Sequence, residues 1–484
     1  MRYLYIDIDT LRPDHLGCYG YRRNTSPNID RIAAEGVRFD NCYVSDSPCL
    51  PSRAALHSGR FGIHNGVINH GGTAADMFLE GPERSFQMGR ERRHWAHVMT
   101  EVGIHTVSIS PFAERHSAWW FYAGWREMVN TGGCGSERAD EVIPHALDWL
   151  DRKGKTDDWF LHVNVWDPHT PYRAPEEYGD PFKDDPLPDW ITEEKIAEDC
   201  KGYGPHSAMD EPPVDREKFP RVPEAIRTMD DYRRWLDGYD TGIKYADDHV
   251  GTLLDKLGEL GVLEDTVVIV SSDHGENQGE LNVYGDHQVG DHITNRVPMI
   301  VRWPGLPGAR VDAALHYQFD VAATFLELVG ARVPAEWDGV SFAEAFRKGS
   351  EQGRDYLVIG NGAWSCTRSV RWGDWLMMRA YHDGFKQLED RMLFNLKDDP
   401  HELTNLAGQH PEKVGEAMVM LDEWYAEMMS TSPSQVDPLW NVMAEGGPFH
   451  TRTFLEPYAK RLRETGRAHH AEYLEKKHEE RNWR

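Results

Sequence analysis

Apolar and polar positions along the chain alternate between two periods. Residues 3–9, Tyr-Leu-Tyr-Ile-Asp-Ile-Asp, read as a strand whose last two acids, Asp7 and Asp9, fall two apart and so on one face. Ser26-Pro27 ahead of Asn-Ile-Asp-Arg-Ile-Ala-Ala-Glu-Gly36 offers a cap, a proline at the first helical position and a glycine stop, which predicts a short helix. Buried strands are expected at 107–109 and 160–165. Over 231–260, Ile243, Ala246, Val250, Leu253, Leu254 and Leu257 recur at helical spacing. That helix runs straight into Thr266-Val-Val-Ile-Val270, then Ser-Ser-Asp-His, with another strand at 298–301. Strands alternating with helices, and polar residues bunched after strand ends, predict an α/β fold: a large, mainly parallel sheet flanked by helices, its site at the carboxyl ends of the strands.

The pattern changes twice. Residues 176–230 are rich in Pro, Asp, Glu and Lys without periodicity, and read as a surface insertion near the mouth of the site within a catalytic domain over 1–350. Beyond 350, hairpin strands at 356–359 and 375–381 and a helix over 411–429 predict a smaller α+β subdomain over 351–431. The charged remainder, 432–484, is either a solvated helical tail wrapped around the body or a lid or subunit contact.

Composition narrows the function classes. Hydrophobic residues at 40% and charged residues at 27% are globular values and exclude disorder and fibre. No run nears the eighteen apolar residues of a membrane span, and no basic stretch leads into an apolar one. The chain as it stands therefore reads as cytoplasmic, or as periplasmic or secreted where a signal has been removed. Six scattered cysteines disfavour a disulfide framework. A formal charge of −27 lacks the basic footprint of a nucleic-acid binder, so an anionic substrate must be captured by local cations.

The densest chemistry is Ser47-Pro-Cys49-Leu50-Pro51-Ser52-Arg53. Pro51 and Ser52 open a helix, which puts Cys49 just ahead of backbone N–H groups that favour anions, and Arg53 can fork onto an oxyanion or the nucleophile. These residues alone fit either a low-pKa thiolate or a buried cysteine beside a helix start. Asp7, Asp9 and Asp273-His274 fall at strand ends hundreds of residues apart. Carboxylates converging on one sheet edge need a cation, which makes a hard-metal site the natural reading.

Cys49-Leu-Pro-Ser-Arg53 resembles the signature of the type I sulfatases of the alkaline-phosphatase superfamily. So, in the family's order, do Asp9-Thr-Leu-Arg-Pro-Asp-His-Leu-Gly-Cys-Tyr-Gly20, Ser26-Pro-Asn-Ile-Asp30, Asp167-Pro-His-Thr-Pro-Tyr172, Ser272-Asp-His-Gly-Glu276 and Arg296-Val-Pro. Leu393-Phe-Asn-Leu and Asp399-Pro-His-Glu402 resemble the family's C-terminal subdomain. The resemblance implies a sulfuric ester hydrolase acting on a small-molecule or oligosaccharide sulfate ester, with Cys49 oxidised to formylglycine by a dedicated maturase. Hydrated, that aldehyde carries two geminal hydroxyls, one to attack sulfur and one to expel sulfate afterwards. It implies a divalent cation, calcium foremost and manganese open because of the imidazole at His274, held by Asp9, Asp273, His274 and residue 49, with Asp7 as a further ligand or an acidic neighbour. His169 matches the family histidine that protonates the leaving oxygen.

The chain departs from the family at several places. Thr10 stands where a second aspartate usually follows the first. Ser110-Pro-Phe-Ala113 lacks the family's lysine and histidine, for which His116 either substitutes or lies at the surface. His287, oriented by Asp286, is expected to take the role of a second missing lysine, with acid-favoured turnover as the consequence. His64, Asn69 and His70 either line the pocket or are structural, and the aromatics 119–122 either stack on sugars or pack as core. Two other functions stay open: a phosphonate monoester or phosphodiester hydrolase, and a silent binding protein never matured at Cys49.

Overall fold

A computed structural model describes residues 1–79, 94–210 and 214–481. Its main sheet has eight strands, in the order Arg310–Tyr317, Val37–Tyr43, Met299–Arg302, Thr266–Ser271, Arg2–Ile8, Trp159–Val165, His105–Ile109 and Glu127–Val129. Only Met299–Arg302 runs against its neighbours. The other seven share one direction, so the loops after 8, 109, 165 and 271 leave from one edge. In register, Asp7 lies opposite Asn164 on one side and Ser271 on the other.

Alternation along the first strand sends Leu4, Ile6 and Ile8 into one core and Tyr3 and Tyr5 into the other. The helix Met229–Glu259 covers the first face with Ile243, Val250, Leu253 and Leu257, all almost fully buried. Each such aliphatic side chain is worth about 1.5–3 kcal/mol of transfer free energy. The helix starts on a reciprocal cap, in which Thr228 Oγ1 accepts from Asp231 N at 3.1 Å while Asp231 accepts from Thr228 N at 3.0 Å.

The short helix expected after Ser26 spans Pro27–Glu35, yet Gly36 ends it with an extended φ of −103° rather than a left-handed one. What calls for glycine there is proximity, because a Cβ would lie 2.7 Å from the Val301 carbonyl oxygen.

A second sheet orders Arg391–Asn395, Trp375–His382, Cys366–Trp372, Tyr356–Asn361 and Asp46–Ser47. Its middle strand, Cys366–Trp372, was not expected. Its buried polar side chains are consumed by neighbours: Ser369 Oγ bonds the Gly290 carbonyl, and Arg371 Nε donates to Tyr43 Oη at 3.1 Å. The edge strand Asp46–Ser47 pairs parallel with Tyr356–Asn361, so the smaller sheet begins two residues before Cys49.

The described residues of 176–230 are mostly irregular around the helix Glu193–Asp199, capped by Thr192. Residues past 432 form the helices Pro438–Ala444, Leu455–Glu464 and Ala468–Arg481. Tyr458, Leu462 and Leu474 of this tail bury against Tyr203 and Phe385. Among the described residues, no helix is long and apolar enough to cross a membrane.

Candidate active site

Cys49 is the first residue of the helix Cys49–Ser58 rather than the one before it, and is 2% exposed. Its Sγ lies 3.1 Å from His274 Nε2. His274 Nδ1 is 2.9 Å from the Gly275 carbonyl, to which it donates, leaving Nε2 with a lone pair aimed at residue 49. Ser52 Oγ donates to the Asp273 carbonyl at 2.5 Å and ties the helix to the loop after Thr266–Ser271. The loop after the first strand is fixed by Tyr239, whose hydroxyl donates to the Thr10 carbonyl at 2.7 Å and accepts from Arg12 N at 3.1 Å.

Burial, with Asp9 and Asp273 adding repulsion, raises the Cys49 thiol well above its ordinary pKa. These surroundings favour the thiol over the thiolate, because desolvation beside two carboxylates opposes the helix N–H groups and the Arg53 charge.

Asp9, Asp273, His274 and Cys49 present ligand atoms all within 4.8 Å of one another. Arg53 does not fork onto the nucleophile. Its Nη1 contacts Asp9 at 3.1 Å and also Asp273, while Nε and Nη2 hold Asp7 at 3.2 and 3.0 Å. Asp7 lies outside that group of ligand atoms, against Arg53 and 3.4 Å from His162 Nε2. Although burial raises it, Arg53 and His162 hold the Asp7 carboxyl below its usual range. Burial and the Asp273 charge push Asp9 well above that range.

One guanidinium thus faces three buried carboxylates, and Asp7 Oδ1 and Asp9 Oδ1 are buried without a hydrogen-bond partner. Oxygen-rich donors, surplus negative charge and orphaned lone pairs fit a hard divalent cation.

Above Cys49 opens a cavity of about 240 Å³. His70, His116, His169 and His287 all line it, with Asp286. The His287 ring is 4.1 Å from that of His274 and 5.9 Å from that of His169, and Asp286 Oδ1 accepts from His287 N at 2.8 Å. His70 and His116 stand 4.9 Å apart, and the Nε2 atoms of both are buried without a partner. Burial and neighbouring imidazoles lower the pKa of His287 to about 3, and burial alone dominates at His274, also about 3. Burial likewise lowers His70, His116 and His169, so the cavity favours neutral rings that offer lone pairs or N–H groups over fixed charge.

Other expectations separate. His64 Nδ1 is 2.8 Å from Asp338 Oδ2 and its Nε2 is 2.9 Å from the Met428 carbonyl, a structural role. Asn69 accepts from the backbone of His70 and Phe449 beside the cavity. Trp120 and Phe121 are core, packed on Leu50 and Ala54 beneath the nucleophile helix.

Sequence reasoning missed Arg115, His206, Trp364 and His450, which also line the cavity, and among the described residues no lysine does so. Arg115 adjoins His116 and was within reach of the same argument. The other three come from the insertion, the second sheet's first turn and the tail, and nothing local marks them.

The sulfatase family model matches residues 2–331, more than half of the chain. This chain belongs to the sulfatase family. It is a sulfuric ester hydrolase of the alkaline-phosphatase superfamily, with the parallel sheet and separate smaller sheet of that fold. The C-terminal model of N-sulphoglucosamine sulphohydrolase matches 279–423. An N-acetylglucosamine-6-O-sulfatase of Bacteroides thetaiotaomicron is 21% identical, the alignment covering 89% of this chain and 87% of that protein. A structure solved with its substrate D-glucosamine-2-N,6-O-disulfate superposes with a TM-score of 0.70 at 19% identity, over 89% of this chain and 99% of that one. The phosphonate monoester hydrolase of Agrobacterium radiobacter has the same fold, at TM-score 0.65 and 18% identity over 89% and 95%.

Proposed function

We propose that this sulfatase hydrolyses the sulfate ester of a carbohydrate, with residue 49, matured from cysteine to formylglycine, as nucleophile beside a divalent cation, calcium foremost. The observation that carries this reading is the meeting of Cys49 with Asp9, Asp273 and His274 at the floor of a histidine-lined cavity. Asp9, Asp273 and His274 would hold the cation, with Asp7 keeping Arg53 in place behind them. Bound there, the cation supplies Lewis-acid stabilisation of developing oxyanion charge. As the aldehyde hydrate, residue 49 supplies one hydroxyl to attack sulfur and a second to release sulfate.

The remaining roles belong to the chain's own side chains. His169 Nδ1–H donates to the Thr170 carbonyl, so Nε2 is the atom left for the departing alkoxide, and it hands over a proton only once the ring is an imidazolium, a form that burial and the neighbouring His287 disfavour. His287, with Asp286 bonded to its backbone, and the His70–His116 pair offer the sulfate oxygens N–H donors where the family has lysines. Trp166 stacks on His169 at 5.6 Å and limits how far that ring can turn. The sugar specificity follows the sulfated glucosamine named for two similar proteins.

The likeness to a phosphonate monoester hydrolase, together with the imidazole at position 274, favours phosphodiester cleavage as the second reading. Turnover of an aryl sulfate and an aryl phosphodiester by one preparation separates the two, sulfate being expected to win. Peptide mass across residue 49 tests the nucleophile: aldehyde or its hydrate is expected after expression with a formylglycine-generating enzyme. Unmodified thiol in an active preparation would overturn it, and Cys49→Ala should abolish turnover.

A further inference from the structure

The tail touches the cavity at one point and is fastened at two others. At the cavity, His450 Nε2 lies 2.9 Å from His70 Nδ1, and the His450 ring stacks on Trp364 at 4.3 Å and 17°. Trp364 in turn meets His206 of the insertion edge-on at 5.4 Å, and His206 Nε2 is 2.9 Å from Asp286 Oδ2. His70, His450, Trp364, His206 and Asp286 thus form one continuous wall drawn from five segments of chain.

The first fastening is on residues 69–73, just past the nucleophile helix. Phe449 N donates to Asn69 Oδ1 at 3.3 Å, and Thr73 N donates to Glu445 Oε1 at 3.1 Å. Two glycines make this fit possible, because a Cβ on Gly71 would lie 2.1 Å from the Phe449 ring, and one on Gly72 2.1 Å from Glu445 Oε2. The second fastening is Asp210 of the insertion, whose buried carboxylate accepts from Arg461 Nε at 2.7 Å, Arg467 Nη1 and Nη2 at 2.6 and 2.7 Å, and Tyr458 Oη at 2.9 Å. Charge-assisted bonds of this density hold two segments in one geometry.

The geometry points to residues 432–481 as a specificity wall: with the insertion, they close the cavity around an alcohol of single-ring size, and His450 and Trp364 set the upper limit on the leaving group. A cavity of about 240 Å³ lies below the roughly 300–1,000 Å³ typical of drug-sized ligands, which suits one sulfated ring better than a chain. This rests on the sulfate-ester reading above. His450 and Trp364 determine specificity by bordering the substrate, whereas Asp210, Arg461 and Arg467 act through them as positioning residues.

The test compares 4-nitrophenyl sulfate, with one ring, and estrone sulfate, with four, on the full matured chain. His450→Ala, and separately Arg461→Ala with Arg467→Ala, are expected to raise kcat/KM for estrone sulfate relative to 4-nitrophenyl sulfate at least tenfold, chiefly through KM. A gain on the larger ester is not a result that damage to the fold can produce. Thermal melting checks that both variants are folded, and His450→Ala decides if the arginine pair does not fold. A ratio within twofold of wild type in folded variants would overturn the wall. A wild-type enzyme inert toward both esters would instead overturn the reaction, and the wall along with it.

Discussion

Arg53 brings one positive charge to three carboxylates, and its loss should be felt in the fold before the chemistry. Arg53→Ala leaves Asp7, Asp9 and Asp273 without their cationic partner, and breaking a buried pair of this kind costs about 3–5 kcal/mol. Denaturant unfolding in chelator should register that loss, and added calcium should restore part of it. Asp273→Asn removes charge as well as a ligand oxygen. It is expected to abolish turnover while metal analysis finds less than one ion per chain. At His169 the expectation concerns the leaving group. His169→Ala should slow a sugar sulfate by about 10²–10⁴-fold, the usual worth of general acid catalysis, and an activated aryl sulfate far less. Equal losses on both esters would remove His169 from the acid role. Residues of this kind are legible in sequence because each announces its chemistry within a few positions: a cysteine before a proline and an arginine, or an Asp-His pair after an apolar run. His206, Trp364 and His450 were not legible. Their contacts with Asp286, His70 and one another span up to 380 residues of sequence, and each is surrounded by ordinary loop composition.

Among the elements, the nucleophile helix is the most constrained. It ends at Gly59, whose φ of +67° is left-handed and whose Cβ would lie 1.9 Å from the Trp337 ring. Gly59→Ala therefore combines backbone strain with overpacking, and about 2–4 kcal/mol of destabilisation is expected, read as a lower Tm. The long helix and the strands beside it could be read from periodicity because burial on one face imposes it. The strand Cys366–Trp372 escaped because both of its faces are buried and one of them carries Thr367, Ser369 and Arg371, whose polar atoms are satisfied by the loop near Gly290 and by Tyr43. Hydropathy reports burial only where the buried atoms are carbon.

Over the whole molecule, the tail's hold on the insertion has a definite pH range. Burial raises the Asp210 carboxyl, but its bonds to Arg467 and Arg461 outweigh this and bring it below the ordinary value. A carboxyl depressed in the folded state contributes stability above its unfolded pKa, about 3.9, and that stability is lost as pH falls through the folded value. Hydrogen exchange in 455–481 should accordingly stay slow from pH 7 to about 4 and quicken only in stronger acid. Faster exchange already at pH 6 would show that some other group controls the fastening.

The parallel pairing of Asp46–Ser47 with Tyr356–Asn361 includes a bond from Gly360 N to the Ser45 carbonyl at 2.9 Å, four residues before the nucleophile. Exchanging the smaller unit for that of a relative would accordingly be no neutral graft. A donor unit whose first strand enters even one residue out of step would tug on the backbone that aims residue 49, so the two sheets are bound to diverge together.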